Sequence, residues 1–135
     1  IQHFYTFVSP RLRAVHPSNF IRMAPDVASE QGIRSGDKVK VTTPYGAQVG
    51  EAFVTDGVAS GVISIEHGFG HDEFGIRTHI VDGKPAFGIA NLEKGVNHNK
   101  LGLLDPKRNG EFSLNDWLVG TCARQALPAK IRKIG

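Results

Sequence analysis

The sequence predicts a mainly β protein, a small barrel of two related halves with a few short helices. Three observations predict it. Ile33-Arg34-Ser35-Gly36-Asp37-Lys38-Val39-Lys40-Val41 and Val58-Ala59-Ser60-Gly61-Val62-Ile63-Ser64-Ile65 share a pattern, apolar-x-Ser-Gly followed by a β-branched strand, and twofold similarity in a small β protein points to paired halves. Lys38–Thr42 alternates polar residues with Val, as a half-buried strand does. The 16 Gly and 7 Pro among 135 residues supply turns for many short strands, and the length suits one domain spanning 1–135.

In chain order, the aromatic and β-branched run Ile1–Val8 predicts a first strand ended by Ser9-Pro10. Arg11–Asn19 reads as a polar, basic loop, and Phe20–Met23 as a short strand. Pro25 suits a first helical turn, Asp26 favours the positive end of that helix, and Gly32 is a left-handed stop. Ser35-Gly36-Asp37, Pro44-Tyr45-Gly46 and Asp56-Gly57 are turns separating strands at Lys38–Thr42, Ala47–Thr55 and Val62–Ile65. The last of these runs into the Gly/His loop Glu66–His71. A strand is expected at Arg77–Val81, a turn over Asp82-Gly83-Lys84-Pro85, an irregular Asn/His/Gly loop over Asn91–Pro106, and a solvated turn at Lys107–Gly110. Ser113 is expected to cap a short helix packed by Trp117, Leu118 and Val119. Pro128–Ile134 closes the chain as a strand.

Composition narrows the function classes. No apolar run reaches the ~20 residues of a membrane helix, so direct membrane insertion is not expected. Cys122 is the single cysteine, which excludes an internal disulfide and a thiolate cluster. The sequence opens at Ile1 and its one Met is Met23, which points to a processed chain or a piece of a longer one. From Lys94 onward there are eight Lys or Arg against three Asp or Glu. Such a basic third can face phosphates, an acidic partner surface or water; nothing in it specifies nucleic acid.

Two loops carry candidate chemistry. Arg11, Arg13 and His16 follow a predicted strand, where guanidinium groups can make paired contacts with anionic oxygens; composition allows a solvated loop equally. His67, His71 and Glu73 have spacing that a metal-binding β-barrel enzyme could use, but Gly68 and Gly70 disfavour the helix of a zinc-protease motif. Those glycines allow main-chain N–H groups to approach a pyrophosphate closely. There is no G-x-G-x-x-G after a strand, no Gly-Lys-Ser/Thr and no nucleophile elbow, so no catalytic residue is assigned.

The ordered run P-x-x-A-x-x-x-G-I-x-x-G-D-x-V-x-V, here Pro25, Ala28, Gly32-Ile33, Gly36-Asp37, Val39 and Val41, resembles the C-terminal molybdopterin-dinucleotide-binding domain of the dimethyl sulfoxide reductase family. The likeness continues through Gly46, Ala52–Thr55, Gly61-Val62, His67-Gly68, Asn99-x-Leu101 and the strand after Pro128. It implies a double-psi β-barrel that grips molybdopterin guanine dinucleotide, the metal being Mo or W, within a larger oxidoreductase polypeptide whose metal ligand lies in an earlier domain. By position it implies contacts from Arg11, Arg13 and His16, from His67 and Gly68, from Asn99 or Asn97, and late from Lys130 or Arg132. The tail Gly95–Ile134 resembles the branch that reduces tetrathionate, thiosulfate or polysulfide, tetrathionate above all. That branch implies an iron–sulfur cluster elsewhere in the parent polypeptide, a separate electron-transfer iron–sulfur partner, anaerobic respiration, and an extracytoplasmic location. A protein-interaction module of the same fold is the other reading.

Overall fold

A computed structural model describes residues 9–72, 79–86, 93–102, 104–109, 118–119, 121 and 127–135. Elements are α1 (Pro10–Val15), β1 (Ile21–Met23), α2 (Pro25–Glu30), β2 (Lys38–Thr42), β3 (Ala47–Val54), β4 (Ile63–Ile65), β5 (His79–Val81), β6 (Lys84–Ala86) and β7 (Lys130–Lys133), with 3-10 turns at His98–Leu101 and Pro106–Arg108. The protein is mainly β with few short helices, as the sequence predicts. No helix among the described residues is long and apolar enough to cross a membrane.

Five strands form one sheet in the order β4-β1-β3-β2-β7, and β5 and β6 form a separate hairpin. β3 changes partner along its length. Ala47–Glu51 pair antiparallel with β2, and Ala52–Val54 pair in parallel with β1. At the handover, the Ala52 N–H donates to the Asp37 carbonyl at 2.9 Å and its carbonyl accepts from Gly36 N–H at 2.9 Å. One strand serving two ladders curls the sheet into a half-barrel around its core. The two similar segments occupy matched places: β2 lies antiparallel outside β3, and β4 lies antiparallel outside β1.

Strand alternation sends Ile21, Met23, Val39, Val41 and Ala52 to the core, where Ile33, Val96, Leu101 and Ala28 of α2 meet them. α2 ends as its sequence predicts. Gly32 is left-handed at φ +62°, its N–H donates to the Ser29 carbonyl at 3.1 Å, and Ile33 N–H donates to the Ala28 carbonyl at 2.8 Å. This is a Schellman motif, with the apolar Ala28–Ile33 pair beneath it. Its other end is tied to the second repeat, because the Ser60 hydroxyl donates to the Asp26 carboxylate.

Two expectations are corrected. Arg11–Asn19 is not all loop, because Pro10–Val15 is helical: Ser9 is its N-cap, accepting from Leu12 N–H at 3.5 Å, and Pro10 sits in the first turn. The Ser-Pro pair that reads as a strand stop is also a helix start. Lys84 and Pro85 belong to β6, and the turn is Asp82-Gly83 alone; among the described residues β6 pairs with β5 alone, and a proline is tolerated on such an edge strand. The predicted strand Ile1–Val8, Arg77-Thr78, Phe87–Ile89 and Cys122 lie outside the described residues. So does the Ser113 helix, apart from Leu118 and Val119, which form a turn.

Gly50 on β3 shows how closely the 93–102 loop covers the sheet. A Cβ there would stand 2.4 Å from Val96 Cγ2 and 2.9 Å from Ile21 Cδ1, both fully buried. Gly50→Ala is expected to lower unfolding stability by about 1–3 kcal/mol through overpacking, measured by urea denaturation, while Gly57→Ala in an open turn is expected to change it little.

Candidate functional site

Three segments distant in sequence converge beside β4: residues 16–20 after α1, residues 66–72 after β4, and residues 93–102. Asn19 joins them. Its side chain is 1% exposed; Nδ2 donates to the Glu66 carbonyl at 2.6 Å and the Val96 carbonyl at 3.0 Å, and Oδ1 accepts from Val96 N–H at 2.7 Å. A carboxamide suits this position because it carries two donors and an acceptor on one small plane. Gly95 allows the contact: it has φ +94°, and a Cβ there would stand 2.4 Å from Asn19 Oδ1. A further rung runs from Gly70 N–H to the Lys94 carbonyl at 2.9 Å.

Beneath the second loop lies the carboxylate of Glu66, with its side chain 6% exposed. His16 Nε2 lies 2.6 Å from Oε2, and Arg22 donates to Oε1. Burial pushes the Glu66 carboxyl up, but the hydrogen bonds from His16 and Arg22, with their charge, outweigh it and hold it below its ordinary value. The His16 ring also stands edge-on to Phe69, centroids 5.2 Å apart. Farther out, Lys100 pairs with Asp72 across the second and third loops.

These contacts frame a pocket of about 190 Å³ lined by His67, Gly68, Phe69, His71, Asn97, His98 and Asn99. Next to it runs a groove of about 830 Å³ between the ends of β2 and β4, lined by Val41, Thr43, Ile63, Ile65, Pro128 and Ala129 among others. His67 and His98 line both. Among the sequence-predicted residues, His67, Gly68, Asn97 and Asn99 are brought together here. The two asparagines differ. Asn97 Oδ1 accepts from Asn99 N–H at 3.1 Å and caps the 3-10 turn, whereas Asn99 is exposed.

The other predicted residues stand apart from the pocket wall. His16 braces Glu66, Arg11 and Arg13 are on α1, and Lys130 is exposed on β7 beside the groove-lining Pro128-Ala129. Sequence reasoning passed over His98, although it lies between the two chosen asparagines. It also passed over Asn19 and Glu66, whose roles rest on contacts 47 and 77 residues away. Among the described residues no group of three or more His, Cys, Asp or Glu could hold a metal; Glu73 lies outside them.

Asn19→Ala is expected to strand buried groups of Glu66 and Val96 at about 1–3 kcal/mol each, read as a lower unfolding midpoint in urea. The depressed Glu66 group contributes stability that is present above its ordinary value of 4.5 and lost as pH falls through the lower folded value. The stability difference between the native chain and Glu66→Gln should therefore shrink as pH falls below that value; unfolding curves across acid pH test it.

The family model described as Molydopterin dinucleotide binding domain matches residues 2–109. A tetrathionate reductase subunit of Salmonella typhimurium (strain LT2) is 41% identical over 129 residues, 96% of this chain and 13% of that protein. A selenate reductase subunit of Mesobacillus selenatarsenatis is 26% identical over an alignment of 134 residues, covering 90% of this chain and 13% of that protein. Among solved structures, Acetylene Hydratase from Pelobacter acetylenicus overlaps 42% of this chain and 8% of its own, with 28% identity and a TM-score of 0.40. The chain spans 13% of the length of these two reductase subunits. With the family model covering its three converging loops, the chain belongs to the molybdopterin dinucleotide binding domain family.

Proposed function

We propose that this chain holds molybdopterin guanine dinucleotide as one domain of a larger molybdenum or tungsten oxidoreductase, and that the whole polypeptide reduces a sulfur oxyanion of the tetrathionate class. The observation that carries the binding reading is the convergence of His67, Gly68, Asn97, His98 and Asn99 on one pocket that shares His67 and His98 with the neighbouring groove. Membership in the family supports the cofactor class. Likeness to the tetrathionate reductase protein over nearly the whole chain supports the substrate class, ahead of selenate.

The residues present fit such a ligand. Pterin and guanine edges carry both donors and acceptors, and carboxamides and imidazoles offer both. Asn99 is exposed at the pocket, and Asn97, with Oδ1 engaged in its turn, keeps its amide donors. Gly68 has φ +93°, a conformation that lets main-chain N–H groups form an anion-binding concavity. The groove alone, at about 830 Å³, falls in the size range of organic-ligand sites. When bound, the cofactor would supply the metal for redox chemistry; the chain's own residues bind and orient it and exclude water. In this reading the curled sheet is part of a double-psi barrel, and Arg11, Arg13 and Lys130 supply outer contacts to phosphate. An iron–sulfur cluster elsewhere in the polypeptide, an electron-transfer partner and an extracytoplasmic site belong to the same proposal.

Full-length polypeptide carrying His67→Ala or Asn99→Ala is expected to retain less cofactor. Loss of a charge-assisted contact worth about 1.5–3 kcal/mol weakens binding about 10- to 150-fold. Released pterin fluorescence and elemental Mo and W measure retention, and unchanged retention in both variants and in Gly68→Val overturns the binding site.

A further inference from the structure

On the face of β3, β2 and β7 that points away from the core, only Lys130, at the groove end, has a role in the cofactor reading. Val39, Val41 and Ile131 point inward, so Lys38 and Lys40, Val49 and Glu51, and Lys130 and Arg132 share the opposite face. In register, Lys40 stands between Val49 on β3 and Arg132 on β7, and Thr42 stands opposite Lys130. Like charges directly across a strand pair are destabilising. None of Lys38, Lys40, Lys130 and Arg132 has a carboxylate within ion-pair distance among the described residues, whereas Lys133 on the inward register reaches Asp37 at 2.7 Å. Beside the cations, Val49 is 48% exposed.

Charge on β7 alone would suit an end strand protected from pairing with other chains. That reason does not extend to Lys38 and Lys40, which lie on β2 with a partner strand on each side. A cationic rim around an apolar side chain is instead the composition of a docking surface. Carboxylates approaching from outside would relieve the Lys40–Arg132 repulsion and cover Val49 in the same step.

We propose that this face docks onto an acidic surface contributed by another part of the same polypeptide; the inference rests on reading the chain as one domain of a larger protein. A tethered partner is held at high effective concentration, so the cations Lys38, Lys40 and Arg132, with Val49 and Glu51 among them, suffice where a freely diffusing partner would need more area.

The test treats the full-length polypeptide with a water-soluble carbodiimide, which joins a lysine amine to a carboxylate in contact with it. Mass spectrometry is expected to find Lys38 or Lys40 joined to Asp or Glu outside residues 1–135 of the same polypeptide. The double variant K40E/R132E is expected to lose those links and to release this domain to limited proteolysis about tenfold faster, with K40M/R132M showing the loss of links without added repulsion. Links only to a separate chain, or no links at all, overturn the proposal. So does binding of heparin or anionic vesicles that K40E/R132E abolishes. Pterin content of the same preparation separates the two readings. Cofactor without links overturns the docking face alone, and links without cofactor overturn the binding reading and leave the docking face standing.

Discussion

The buried carboxamide of Asn19 is the constraint on which the rest of the site depends. Positions 19, 66 and 96 have no local reason to meet, and closing loops of that length costs chain entropy. The return comes from three hydrogen bonds made where water is excluded, a setting in which each bond strengthens and each missing partner is costly. Aspartate would lack the donors, and glutamine would place them one methylene too far. Once the amide is seated, the main chain on either side of His67 and Asn97 has little freedom left.

Two further anchors turn that junction into a frame. The 93–102 loop is held at its far end by Thr43, whose hydroxyl donates to the Leu101 carbonyl and accepts from Gly46 N–H at 3.1 Å. With Val96 fixed at one end and Leu101 at the other, His98 and Asn99 are presented between them. Glu66 fixes the second loop electrostatically, one residue before His67. Its carboxylate is buried yet ionised because His16 and Arg22 hydrogen-bond its two oxygens. Preorganisation of this kind lowers the ordering cost of holding a ligand.

Much of the fold was legible because its signals are local. Gly32, Gly36 and Asp56-Gly57 punctuate the chain, and Val39 and Val41 alternate with lysines, so elements and turns could be read in place. Ser9-Pro10 misled because the same dipeptide ends a strand and caps a helix, and only the following hydrogen bonds choose between them. The loops that hold His67, Gly68, Asn97 and Asn99 were legible as dense polar stretches without periodicity, while the family resemblance singled out these residues within them. Asn19 and Glu66 were not, because a buried polar side chain serving distant backbone leaves no pattern around itself. The β1–β3 parallel pairing was equally hidden, since neither strand records which neighbour it will take.

The internal similarity explains why the site is one-sided. β2 and β4 occupy matched positions in the sheet, and the residue following each is buried, Thr43 after β2 and Glu66 after β4. Both residues tie the chain to the same covering loop or its neighbour. After β2 the connection is a tight turn, Thr43–Gly46, packed hard enough that a Cβ on Gly46 would stand 2.2 Å from the Lys100 carbonyl oxygen. After β4 it is the open Gly/His loop. The groove lies between those two strand ends, with Val41 and Thr43 on one wall and Ile63, Ile65 and His67 on the other. Duplication thus supplies two equivalent corners; one is spent on holding the lid in place, and that fixed lid is what leaves the other free to carry the ligand-facing groups.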